Sequence, residues 1–123
     1  MTARLITPAR GPVSSTVRVP GSRSITNRAL VLGALAYGRT LIEGALWSDD
    51  TLLMARGLRA LGVAVEEDAR SERFVVLGQG GRIPAAEAAI DAGNAGTVAR
   101  FLTAVAALGR GRYDIDATPR MRE

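Results

Sequence analysis

Cysteine, histidine and lysine are all missing from the 123-residue chain. Without cysteine there is no disulfide framework, no thiolate metal site and no thiol nucleophile. Without histidine the usual near-neutral proton shuttle is gone as well. Acid–base chemistry within this chain falls to carboxylates or tyrosine, because all sixteen basic residues are arginines. Arginine keeps its proton at any working pH, so it grips anions but does not relay protons. Aromatics are scarce, one Trp, two Tyr and two Phe, so a core must be built from Ala, Leu, Val and Ile. The longest nearly apolar run, ALVLGALAYG, falls well short of the ~20 residues of a membrane helix. The opening MTARLITPAR lacks the apolar stretch of a signal peptide. These absences predict a soluble, cytoplasmic chain, and the lack of cysteine fits that compartment. The net charge of +4 is modest, and the arginines form no stripe with interleaved aromatics. Small anionic ligands suit them better than nucleic acid or a membrane surface.

What is present is a chain with 47% apolar residues, enough for a core. Its length fits one domain or part of a larger protein. Val13, Val17 and Val19 alternate with polar residues, which predicts a strand that Pro20-Gly21 ends. From Ser24 to Tyr37 the period becomes helical, with Ile25, Ala29, Leu32 and Ala36 on one side and Gly38 closing the helix. RTLIEGAL reads as a short strand. SDDTLLMARGLRALG then predicts a second helix, with Ser48 as N-cap, Asp49 and Asp50 in the first turn and Gly62 after the last. VAVEED and RFVVLG are two strands joined by the turn ARSE. GQGGRIP is a loop, because a phosphate-binding Walker loop would need Gly-Lys-Ser/Thr opening a helix.

The pattern then restarts with the strand AAIDAG, the helix NAGTVARFLTAVAALG and the strand RYDIDAT. Laying residue n on n + 72 pairs Gly21 with Gly93, Ser22 with Asn94, Ser24 with Gly96, Arg28 with Arg100 and Leu30 with Leu102. This is an internal repeat of a βαβαββ unit. The same offset puts Ser48 on Arg120, so another helix is expected to begin near Arg120 and to be cut by the end of the chain at Glu123. The expected organisation is N-terminal strands over 1–20, a first unit over 21–84, and a truncated second unit over 85–123.

A helix N-terminus carries unpaired N–H groups and partial positive charge, which suit an anion. GSRSITNR and GNAGTVAR each place small residues at such a tip with an arginine one turn later, Ser24 to Arg28 and Gly96 to Arg100. Taken singly, each tip reads as an ordinary capped helix with a solvated arginine. Their recurrence at one phase of the repeat favours a binding site. Asp49 and Asp50 read mainly as carboxylates that complement a helix dipole.

Together PGSRSITNRAL, SDDT before a helix ending in ALG, GNAGTVAR and PRMRE resemble the amino-terminal part of the 3-phosphoshikimate 1-carboxyvinyltransferase family. Its members are also called 5-enolpyruvylshikimate-3-phosphate synthases. The resemblance implies an α/β (α+β) fold of repeated βαβαββ units, the enolpyruvyl transferase inverted barrel, here one complete unit and part of a second. It also implies a reaction of aromatic amino acid biosynthesis, in which the 5-hydroxyl of shikimate 3-phosphate adds to C2 of phosphoenolpyruvate and phosphate leaves. No metal and no organic cofactor are implied, and the full-length enzyme is expected to be a monomer. Carried over by motif, Arg23, Ser24 and Arg28 would bind shikimate 3-phosphate. Arg23, Asn94 and Gly96 would bind phosphoenolpyruvate, with Gly96 so close that an added methyl crowds the ligand. Arg100, Arg120 and Asp50 would support.

Two departures stand out. Family members usually read Gly-Ser-Lys-Ser where this chain has Arg23, which keeps the charge but changes the bulk and removes a titratable group. They are also several times longer, so the catalytic carboxylates are expected outside these residues and the chain alone is expected to be inactive. Its uncovered apolar face is expected to favour self-association. Two other readings stay open on the sequence. One is a non-catalytic anion-binding or assembly module derived from the family. The other is an enolpyruvyl transferase acting on UDP-N-acetylglucosamine, although GSRSITNR and the lack of cysteine argue against it.

Overall fold

Ser48 and Thr51 show how local sequence sets the architecture. In the computed structural model, which describes residues 3–123, the Thr51 N–H donates to Ser48 Oγ at 3.4 Å and the Ser48 N–H to Thr51 Oγ1 at 3.1 Å. This reciprocal box starts a helix at Asp49, where the sequence predicts one. The elements in order are α1 (Arg23–Leu35), β1 (Tyr37–Ile42), α2 (Asp49–Ala60), β2 (Ala64–Asp68), β3 (Arg73–Gln79), β4 (Glu87–Asp91), α3 (Gly96–Ala106), β5 (Arg112–Asp116) and α4 (Pro119–Arg122).

The strands form an antiparallel sheet in the order β1-β3-β2 and a parallel pair, β4-β5. The parallel pair requires a crossover, and α3 supplies it. The two repeat-related helices begin at Arg23 and Gly96, within one residue of the 72-residue offset, and α4 begins at Pro119, beside the expected Arg120. Of GQGGRIP, Gly78 and Gln79 still belong to β3, and the turn follows at Gly80 and Gly81, with φ +62° and +81°. One core joins all three long helices to both sheets. Leu30, Met54, Leu58, Phe74, Val76, Val98 and Leu102 are each fully buried in it, and the Trp47 ring stacks on Phe74 at 4.8 Å between centroids. No helix among the described residues is long and apolar enough to cross a membrane.

Three expectations are corrected. Residues 13–19 belong to no sheet, and Val13, Val17 and Val19 are exposed. Alternation marks two faces of a strand but does not choose a partner: the outer edges of β1, β2, β4 and β5 carry no further described strand, yet residues 13–19 pair with none of them. Met1 and Thr2 of the expected N-terminal strands lie outside the described residues. On α1 the buried side is Thr26, Asn27, Leu30, Gly33 and Ala34, whereas Ile25 and Leu32 are exposed. This helix is apolar on most of its circumference, so periodicity alone leaves its rotation undetermined. Gly33 settles it, because a Cβ there would lie 3.3 Å from both Thr40 Cβ and Val76 Cβ of the sheet below. Finally, Ala36 ends α1, and Gly38 sits in β1 at φ +81° opposite Gly78. A Cβ on Gly78 would overlap the Ala36 carbonyl oxygen, so the chain turns from helix to strand within a single residue.

Candidate anion-binding site

The α1 tip is tied to the loop that leads into α2. A Cβ on Gly21 would overlap the Gly44 carbonyl oxygen and lie 2.7 Å from Leu46 N, so backbone passes backbone there. Buried Thr26 accepts the Leu46 N–H at 3.0 Å, and Thr51 Oγ1 donates to the Leu46 carbonyl at 2.8 Å. Leu46 is therefore clamped between the first turns of α1 and α2. As a result Arg23 Nη1 stands 3.3 Å from Asp50 Oδ2.

Of the two serines, Ser22 is the cap, accepting the Ile25 N–H at 3.3 Å. Ser24 lies exposed in the first turn without a capping duty. Its carbonyl accepts from Arg28 Nη1 at 3.2 Å, which confirms that the two share a face one turn apart.

The α3 tip is built differently. Gly93 takes φ +55° and donates its N–H to Asp91 Oδ1 at 2.8 Å. Its carbonyl accepts from the Thr118 N–H at 3.1 Å, and the Thr118 hydroxyl donates to Asn94 Oδ1. Among the described residues no side chain caps this helix, whose N-cap is Ala95. The first-turn N–H groups thus lack side-chain acceptors, whereas α2 has its own capping box, Asp49 and Asp50. A Cβ on Gly96 would meet only Met121 Cε, at 3.7 Å. The protein itself leaves room for a methyl at this position.

The α2 and α3 tips face one cleft of about 350 Å³, lined by Asp49, Asp50, Leu52, Leu53, Arg56, Gly93, Asn94 and Thr118. The structure thus brings Arg23, Asp50 and Asn94 into one neighbourhood, α1 joining through the Arg23–Asp50 pair and α3 across the cleft. Arg100, one turn after Gly96, and Arg120 are exposed and pair with no carboxylate among the described residues. A second concavity, about 360 Å³, lies between α1 and α3. Arg28 borders it, but Val31, Leu32, Leu35, Phe101, Ala104, Val105 and Leu108 make it apolar, with no donors for an anion beyond that one arginine.

The PRMRE segment is fixed by Arg122, whose Nε donates to Asp116 Oδ1 at 2.8 Å and whose Nη2 reaches Oδ2. That side-chain pairing, followed by the Ala117 N–H, holds the Asp116 carboxyl below its ordinary value and raises Arg122. Among the described residues no cluster of His, Cys, Asp or Glu is suited to a metal ion.

Sequence reasoning missed Thr26, Arg56 and Thr118. Thr118 carried a signal, since Thr followed by Pro marks a helix start. Its hydroxyl serves Asn94 rather than its own helix. Thr26 gave none, because its partner Leu46 lies in a distant segment, and neither did Arg56, whose place beside the cleft depends on how α2 packs against α3.

The profile of the family EPSP synthase (3-phosphoshikimate 1-carboxyvinyltransferase) matches residues 8–123. A 3-phosphoshikimate 1-carboxyvinyltransferase of Trichormus variabilis is 48% identical over 112 residues, covering 91% of this chain and 26% of that protein. One from Rhizobium etli is 50% identical over 123 residues, covering 99% of this chain and 29% of its own length. The solved EPSP synthase of Acinetobacter baumannii superposes with a TM-score of 0.70 at 27% identity, over 84% of this chain and 23% of that one. The chain thus spans roughly a quarter of the relatives it matches. Its mixed helices and strands have the enolpyruvyl transferase fold. With nearly every residue matched in order, this chain belongs to the EPSP synthase (3-phosphoshikimate 1-carboxyvinyltransferase) family.

Proposed function

We propose that this chain forms one wall of a cleft in which the 5-hydroxyl of shikimate 3-phosphate adds to C2 of phosphoenolpyruvate and phosphate is then expelled. The observation that carries the reading is the gathering of three helix tips through Arg23, Asp50 and Asn94. Ser24 and Arg28 hold shikimate 3-phosphate, the first by its hydroxyl and the second by a guanidinium fork suited to phosphate. Arg23 touches both substrates. One of its nitrogens faces Asp50, and its side chain is 62% exposed, so its other donors remain open to a ligand. Asn94 and Gly96 meet phosphoenolpyruvate at the uncapped α3 tip, where a carboxylate or phosphate replaces the missing cap. Arg100 and Arg120 add positive potential, and Asp50 orients Arg23.

Preorganised donors stabilise the charge that develops as phosphate leaves. The proton transfers belong to carboxylates outside these residues, so the chain alone binds without turning over. The location that goes with two small anionic metabolites is the cytoplasm, and neither nucleic acid nor membrane takes part. The apolar α1–α3 groove leads the chain alone to self-associate, although the whole enzyme is a monomer. Sedimentation showing only monomer at high micromolar concentration would remove that part of the reading.

Calorimetric titration of the chain with shikimate 3-phosphate tests the main claim, with a UDP-sugar as competitor. Arg28→Ala is expected to weaken binding roughly ten- to hundredfold, the range of a charge-assisted hydrogen bond. The UDP-sugar is expected not to compete. Absence of binding by the wild type, or an unchanged affinity in Arg28→Ala, overturns the assignment.

A further inference from the structure

Asn27 is fully buried, and neither its Nδ2 nor its Oδ1 has a hydrogen-bond partner among the described residues. Its buried neighbour Thr26 is satisfied by the Leu46 N–H. Asn27 lies one turn after Arg23 on the same face of α1, the face that brings Arg23 to Asp50. Further along, that stripe continues as Leu30 and Ala34, both buried and apolar. At the equivalent position of α3, 72 residues on, the chain places Ala99, half-buried and apolar. A helix at this phase of the repeat therefore packs without an amide. A buried, unpaired carboxamide works against folding, so the ligand-free fold gives no reason for this residue.

We propose that Asn27 is a positioning residue of the anion cleft. In the free chain its carboxamide is unpaired. When a bound phosphate draws the uncapped α3 tip toward α1, the amide gains backbone partners and couples binding at Arg23 and Ser24 to the seating of α3. Being fully buried, it acts without touching the ligand itself. The proposal rests on the reading of the cleft as a shikimate 3-phosphate site.

The test is Asn27→Leu, which keeps the volume close and removes both polar atoms. Three quantities are measured on the 123-residue chain: the ligand-free Tm, the Kd for shikimate 3-phosphate, and the amide NMR shifts of Thr97 and Val98 at saturating ligand. The expected result is an unchanged or higher Tm, a Kd raised about three- to tenfold, the range of one net hydrogen bond, and smaller ligand-induced shifts at the α3 tip. A purely structural residue would not strengthen the free fold while weakening binding. A lower Tm shows that the amide is already paired in the free chain and overturns the proposal. An unchanged Kd with unchanged shifts also overturns it while leaving the site assignment intact. Failure of the wild type itself to bind removes the site assignment and this proposal with it.

Discussion

Gly57 sets the distance between α2 and α3, and Gly57→Ala measures how tightly that spacing is constrained. It lies in the buried middle of α2, where glycine costs about 1 kcal/mol relative to alanine. On propensity alone the substitution stabilises. However, a Cβ there would overlap Leu102 Cδ1 and lie 3.3 Å from Ile90 Cγ2, inside the ~3.5–4.0 Å of a normal carbon contact. Leu102 is fully buried and borders none of the described cavities, so its end must displace packed neighbours, whereas Ile90 borders a small concavity beside Gly57 and can shift. Overpacking of this kind costs about 1–3 kcal/mol. Offset by the propensity gain, the expected net loss is about 1 kcal/mol, or a Tm lower by about 4 °C. Thermal unfolding by circular dichroism reads this directly.

The cause is isolated by a double-mutant cycle with Leu102→Ala, which alone should cost about 2–5 kcal/mol. In the doubly substituted chain the new methyl has a place to go. The two effects should then fail to add by about 1 kcal/mol or more, in the favourable direction. Additivity within ~0.3–0.5 kcal/mol would refute the steric argument. Gly57 stands two turns from Asp50 on one face of α2. Forcing α2 away from α3 should therefore also widen the cleft between Asp50 and Asn94 and weaken shikimate 3-phosphate binding.

Thr26→Val keeps the shape but removes the acceptor of the Leu46 N–H. It should cost about 1–3 kcal/mol, and an unchanged urea midpoint would show that the strap between α1 and α2 does not depend on that bond. Asp116 titrates below its ordinary value of 3.8, chiefly through its side-chain bonds to Arg122. A carboxyl depressed in the fold contributes above its unfolded value, and the contribution is lost as pH falls through the folded one. The Met121 methyl resonance should accordingly shift below about pH 3.8 as α4 leaves β5. The Arg122→Ala chain should lack that step, and an identical titration in both would disprove the coupling.

The second helix was legible because everything it needs is local. Ser48 caps it, Thr51 completes the box, Asp49 and Asp50 suit its dipole, and Gly62 at φ +91° follows its end. The β2–β3 hairpin was legible for the same reason, since its turn lies between Asp68 and Arg73, which pair; of β4, α3 and β5 the sequence showed the order of elements, whereas their parallel pairing joins residues 25 apart. The rotation of α1 was not legible. Apolar residues surround most of that helix, and the close passage of Gly33 over Thr40 and Val76 selects the buried side. Nor was the fate of residues 13–19, since an alternating pattern specifies a strand's faces but not its partner.

The candidate site divides along the same line. The sequence by itself determined that two glycine-bearing helix tips recur 72 residues apart, each followed by an arginine, because residue type and spacing are local properties. Only the tertiary structure decided that the α2 tip neighbours both, that Arg23 meets Asp50, that Thr118 holds Asn94, and that Asn27 is buried without a partner among the described residues. Those relations depend on how helices pack over sheets, and packing is fixed by contacts between residues far apart in the chain.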